Sequence, residues 1–184
     1  MPELAHTFRH RLRERADDQY GFITTRDAAE LGVPPVEVRK IAARGGLTRV
    51  GHGVYHFDDV RRTGREPYME AVLLAGNGAF LTGEAVLALH ELAQVNPRRL
   101  TVGTPRHVRT RLPKHIEVHE RKIDEGDLTS YEGIPTTTVA RAIIDARPTV
   151  MRERLIDAID KATTNGLLLR ADRERVLKAM RGRS

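Results

Sequence analysis

Glu120 and Lys122 stand two apart after a β-like run, Ile116-Glu117-Val118-His119, with the E-x-K spacing of a metal-dependent nuclease core. Side chains two apart in a strand share one face, so both would meet the same metal-bound phosphate. That chemistry also needs an acidic metal ligand on a neighbouring strand, and no strand-like segment before Leu100 offers one. The pairs His52/His56 and His115/His119 are spaced as metal ligands, but zinc wants further ligands and a fixed shell behind them. With 8 histidines in the chain, such pairs arise by chance. Gly76-Asn77-Gly78 is too short for a phosphate loop and lacks its lysine. Cysteine is absent, which excludes disulfides, thiolate metal sites and cysteine nucleophiles. No Ser-His-Asp or kinase pattern appears. The expectation is a chain with no catalytic residue, no metal and no cofactor.

The cations carry the stronger signal. The formal charge is +6 and the pI about 10.0, a balance that favours polyanionic partners. The positive residues are mostly arginine, which suits bidentate contacts to phosphate, guanine and carboxylate. High genomic G+C content would give the same bias. Residues 35–44 form a short helical pattern whose outer side offers Arg39, Lys40 and Arg44 to phosphates or guanine edges. Val36 on that side suits a thymine methyl, and Glu37 a cytosine amino group. Thr25 and Arg26 open the preceding helix, where backbone N–H groups can hold a phosphate. Arg49 and His52 sit on a following hairpin. The expected partner is double-stranded DNA. Glu37 weighs slightly against this, because phosphates repel a carboxylate, and a helical hairpin used for protein docking is the competing reading.

The elements that position these residues follow from spacing. Leu4, Phe8, Leu12 and Ala16 give residues 4–17 one apolar face. Gly21 breaks that helix. Thr24 with Asp27 three residues on is a variant capping box, opening a helix over 25–31, and Gly32 fits its C′ position. Pro35 fits the first position of the next helix, with Val33 and Val38 as a hydrophobic staple. Val38, Ile41, Ala42 and Gly45 make its inner stripe. Leu47–Val50 and Val54–Phe57 read as strands around Gly51-His52-Gly53. This order is that of a winged helix-turn-helix, whose second helix enters the major groove. Phe8, Tyr20, Phe22, Tyr55 and Phe57 are expected in its core, since a small domain needs its large side chains for burial.

Residues 58–66 are polar and read as a linker. The expected layout is a DNA-binding domain over 1–58, a linker over 59–66 and a second domain over 67–184. In the second domain, 67–76, 83–93, 138–146, 150–164 and 171–181 look helical. Leu100–Gly103 and Ile116–His119 look like strands joined by a basic loop, and 128–137 a strand pair bent at Gly133. The fold class is α+β: a winged helix-turn-helix, then helices packed on a small β-sheet. Arg141 and Asp145, four apart on one helix, read as a structural ion pair. Arg98, Arg99, Arg106, Arg109, Arg111 and Lys114 lie in a run without an acid. That run is open to three readings: a solvated face, a contact with an acidic protein surface, or a second DNA contact. Without a long apolar run or an apolar leader, the expected compartment is the cytoplasm.

Gly21-Phe22-Ile23-Thr24-Thr25, then Ala28, Ala29 and Gly32-Val33, then Gly46-Leu47-Thr48-Arg49-Val50-Gly51-His52-Gly53-Val54-Tyr55, resemble the N-terminal domain of AbiEi-type antitoxins. The resemblance continues in Leu81-Thr82-Gly83-Glu84-Ala85-Val86-Leu87-Ala88-Leu89-His90-Glu91-Leu92 and in Gly133-Ile134-Pro135-Thr136-Thr137-Thr138-Val139-Ala140-Arg141-Ala142-Ile143-Ile144-Asp145. It spans about residues 20–165. The chain departs at Pro34, where a capping residue is usual, at Ala85 for serine, and at Glu91 for glycine. The resemblance implies an antitoxin of a type IV-like system. Its winged helix would bind inverted repeats in its own promoter and repress the operon. Its second domain would counter a nucleotidyltransferase-like toxin, directly or indirectly. A stand-alone winged-helix regulator with a partner- or ligand-sensing second domain is the alternative.

Overall fold

The computed structural model describes residues 2–182, and side chains from residue 8 onward. Leu4, counted above in the first apolar face, lies outside the described side chains. Contacts divide the chain into two units, Met1–Leu74 and Ala75–Ser184.

The first unit opens with α1 (Pro2–Asp17), whose Leu12 and Ala16 are completely buried. A turn pinned by the Gly21 N–H on the Ala16 carbonyl, at 2.7 Å, leads to β1 (Phe22–Thr24). The expected box at the start of α2 (Thr25–Glu30) is present. The Asp27 N–H donates to Thr24 Oγ1 at 3.0 Å, and the Thr24 N–H donates back to Asp27 Oδ2 at 2.8 Å. Gly32, at φ 65°, ends α2 in a Schellman motif: its N–H meets the Ala29 carbonyl, and that of Val33 the Ala28 carbonyl. α3 (Pro35–Ala43) starts at Pro35 with no side-chain cap. Val33, Val38 and Ile41 are buried, as the staple and stripe require. Gly45, expected on that stripe, is instead exposed, because α3 stops at Ala43 and Gly45 turns the chain at φ 90°.

β2 (Leu47–Gly51) and β3 (Val54–Phe57) form the hairpin, and β1 adds a third antiparallel strand in the order β1-β3-β2. Phe22 opposes His56 and Thr24 opposes Val54. β1 was not expected, since three residues are too short to show alternation. Helices and hairpin close over Leu12, Ile23, Val33, Val38 and Phe57. The unit is therefore a winged helix-turn-helix. The polar segment after it is more than a tether. Asp59 pairs with Arg13 at 3.3 Å, and Val60 packs on the core. Thr63-Gly64-Arg65-Glu66 closes a capping loop, with the Thr63 and Gly64 N–H groups on the Glu66 carboxylate, ahead of α4 (Glu66–Ala75). All but the last residue of α4 falls in the first unit. Leu74 explains this, since it covers Gly51 of the wing so closely that a Cβ there would lie 2.2 Å from Leu74 Cδ2. The contact boundary falls between Leu74 and Ala75.

The second unit holds a five-stranded sheet in the order β6-β5-β4-β8-β7. Its strands are β4 (Phe80–Leu81), β5 (Leu100–Thr104), β6 (Ile116–Glu120), β7 (Leu128–Tyr131) and β8 (Ile134–Thr137). β5 and β6 run parallel, so the basic loop between them is a return crossover without a helix. β4, too short to be seen in the sequence, joins both halves, antiparallel to β5 and parallel to β8 at Leu81 and Thr136. Gly103 admits the Phe80 ring, and a Cβ there would sit 2.3 Å from Phe80 Cε2. The β7–β8 turn uses Glu132 and Gly133, both at positive φ, as a two-residue hairpin of this type demands.

Packed with the sheet are α5 (Glu84–Leu89), α6 (Val139–Asp145), α7 (Arg152–Thr164) and α8 (Arg170–Arg181). Leu81, Leu87, Ile134, Ile143, Leu155 and Ile159 make the core. α5 ends at Leu89, short of the expected residue 93. The Leu92 N–H reaches the Leu87 carbonyl at 2.7 Å and the Glu91 N–H the Ala88 carbonyl at 3.0 Å. That is again a Schellman motif, with Glu91 at φ 55° in the place glycine usually holds. Among the described residues no helix is long and apolar enough to cross a membrane.

Candidate nucleic-acid interface

α3 buries Val38 and Ile41, so the positions between them must face outward. Val36, Arg39, Lys40, Ala43 and Arg44 are all exposed, Val36 by 46%. The side chains of Arg39 and Arg44 have no partner among the described residues. Lys40 is engaged: its Nζ lies 2.8 Å from Glu37 Oε1. Glu37, deprived of a capping role by Pro34, thus neutralises one cation of the face and leaves two free.

The wing is fixed to the start of α2. The Thr25 N–H donates to the Gly53 carbonyl at 2.8 Å, so Thr25 and the exposed His52 share one edge of the unit. Arg26 lies back along α2 on Glu30 at 3.0 Å, and Arg49 Nε donates to the Gly51 carbonyl at 3.1 Å. α3 enters from the other end of α2, after Gly32. The eight residues therefore form two groups on one unit: Val36, Arg39, Lys40 and Arg44 on α3, and Thr25, Arg26, Arg49 and His52 around the wing. Sequence reasoning missed Arg9, which donates to the Gly45 carbonyl at 3.4 Å and stacks on Phe57, bracing the exit of α3.

The basic run of the second unit is spread over both ends of β5 and the crossover that follows it. Arg98 and Arg99 precede β5, whereas Arg106 follows it and Arg109 and Arg111 lie on the crossover. Five strand residues separate the two ends by roughly 13 Å. Arg106, Arg109, Arg111 and Lys114 are exposed, and their side chains have no partner among the described residues. Arg98 and Arg99 border a cleft of about 560 Å³. At its floor Asp145 is saturated by Thr82 Oγ1 at 2.7 Å, by both terminal nitrogens of Arg121 at 3.0 and 3.1 Å, and by Arg141 Nε at 3.0 Å. Arg141 also approaches Asp127 at 3.5 Å, which holds Arg175 at 2.9 Å. The expected Arg141–Asp145 pair is thus one link in a network. The sequence carried no sign of Arg121, whose partner is on another element.

The nuclease spacing assembles nothing of the kind. Glu120 pairs with His107 at 3.1 Å, Lys122 lies beyond the end of β6, and neither β4 nor β5 carries an acid. His56 packs edge-on to Phe22 at 4.7 Å, and His119 pairs with Glu117 at 3.3 Å. Among the described residues no three histidines or acids converge as metal ligands.

Comparison with known proteins adds three findings. No curated protein matches the chain. The crystal structure of the RV2827C protein from Mycobacterium tuberculosis is similar at 17% identity and a TM-score of 0.49, covering 94% of this chain and 71% of that one. Residues 10–57, the segment that folds from α1 to the end of the wing, match the family described as transcriptional regulator, AbiEi antitoxin. The winged-helix segment of this chain is thus similar to the AbiEi antitoxin family of transcriptional regulators.

Proposed function

We propose that this protein is an antitoxin that represses its own operon through the winged helix and neutralises a nucleotidyltransferase-like toxin through its second unit. The observation that carries the reading is the exposed cationic side of α3, on a winged helix that matches an antitoxin regulator family. α3 lies in the major groove, with Arg39, Lys40 and Arg44 on phosphates or guanine and Val36 against a thymine methyl. Thr25, Arg26, Arg49 and His52 meet the flanking backbone. Arg106, Arg109 and Arg111, exposed and unpaired among the described residues, present a cationic surface to an acidic toxin. The protein works in the cytoplasm, where promoter and toxin are found.

A growth assay joined to a mobility shift tests this. The neighbouring nucleotidyltransferase gene should be lethal alone and tolerated with this protein. The protein should shift its own promoter, and Arg44→Ala should weaken that shift without loss of rescue. Rescue lost in a folded Arg44→Ala protein would overturn the division of labour. The cleft beside Arg98 favours a second reading, a stand-alone regulator whose second unit senses a ligand. A promoter shift with no toxin gene to neutralise would select it.

A further inference from the structure

We propose that the cleft bordered by Arg98 and Arg99 binds a phosphate-bearing small molecule of up to nucleotide size. The inference rests on the cleft alone and holds under either reading above. About 560 Å³ falls in the range of small-molecule sites. Arg121 stands at the floor, its side chain 27% exposed, locked by the two bonds to Asp145. A guanidinium uses only part of its five N–H groups on one carboxylate, so Arg121 is a fixed fork with donors left for a ligand. Arg99 is steered by Glu117 at 3.9 Å, and Arg98 has no partner among the described residues.

The acids of the cleft are unequal. Asp145 and Glu117 are already taken by cations of the same wall, and so act as their holders. Glu84 has no partner among the described residues and remains an acceptor for a hydroxyl or amino group. Arg98, Arg99 and Arg121 stand among three carboxylates, so the N–H donors that Arg98 and Arg121 keep free, rather than an excess of charge, are what match the terminal oxygens of a phosphate.

Calorimetric titration of the full chain tests this, with inorganic pyrophosphate, ATP and adenosine as probes. Pyrophosphate and ATP should bind at one site and adenosine should not. Arg98→Ala and Arg99→Ala should each weaken binding by about tenfold or more, the loss of one charge-assisted contact. Arg154→Ala, an exposed cation on α7, should leave it unchanged. Glu84→Gln should weaken ATP and spare pyrophosphate if the ligand is a nucleotide, and spare both if it is free phosphate. No binding of either anion, an equal loss in Arg154→Ala, or displacement of the anion by duplex DNA would overturn the proposal.

Discussion

Arg121 grips Asp145 with both terminal nitrogens, at 3.0 and 3.1 Å, and so ties the residue after β6 to the last residue of α6. Asp145 is 11% exposed and takes four hydrogen bonds in all, which leaves it no need of solvent. Breaking such a pair from one side strands the other charge. Asp145→Ala should therefore lower stability by about 3 kcal/mol, read by urea denaturation. A loss below about 1 kcal/mol would mean that the pair behaves as a surface bridge.

Glu91 holds a left-handed backbone at φ 55° where glycine has no steric penalty. Its carbonyl accepts from Lys161 Nζ at 2.7 Å, a bond that any residue at this position can keep. Glu91→Gly should raise stability by about 1 kcal/mol, since relief of the strained backbone outweighs the freer unfolded chain. A lowered melting temperature would contradict that balance.

Much of this was legible in the sequence, and the division is physical. The Thr24–Asp27 box, Gly32, Pro35 and the Gly51–Gly53 turn are set by fixed local spacings, so they read directly. The outer face of α3 follows from the burial of Val38 and Ile41 at helical period. β1 and β4 were hidden because two or three residues carry no periodicity. The parallel pairing of β5 and β6 was hidden because a strand does not encode its direction. Arg121 and Asp145 meet from elements 24 positions apart, and no local pattern announces them.

Gly51 and Leu74 lock the wing. A methyl added at Gly51 would fall 2.2 Å from Leu74 Cδ2, and Leu74 is buried. Gly51→Ala should cost about 2 kcal/mol and weaken promoter binding, as overpacking does. Gly51→Ala combined with Leu74→Ala should cost less than the sum of the two single changes, a coupling that a double-mutant cycle measures. Strict additivity would show that the two residues do not meet.

Glu37 pairs with Lys40 at 2.8 Å and offsets its charge on the outer face of α3. Glu37→Gln should tighten binding to any duplex and steepen its salt dependence by up to about 0.9 in log–log slope, one more counterion released. Discrimination between operator and random DNA should fall if Glu37 reads a cytosine. An unchanged slope would show that Lys40 never meets a phosphate.

Glu66 titrates below its ordinary value. Burial alone would raise it, but the backbone N–H groups of Thr63, Glu66 and Gly64 and the Thr63 hydroxyl outweigh that. A lowered carboxyl stabilises the fold above its unfolded titration point and loses that contribution as the pH falls through the folded one. Glu66→Gln should thus melt earlier than the parent near neutrality, and the two should converge in acid. A gap that persists in acid would trace the effect to shape rather than charge.

β4 is two residues long, yet both halves of its sheet depend on it. Its partner Thr136 is synthesised long after Leu81, so the sheet cannot close until most of the chain has left the ribosome. The strands of the winged helix pair within residues 22–57 and need no such wait. Long-range pairing slows folding, and N-terminal parts emerge first. A half-made chain can therefore already carry a finished winged helix while its C-terminal half is still unfolded.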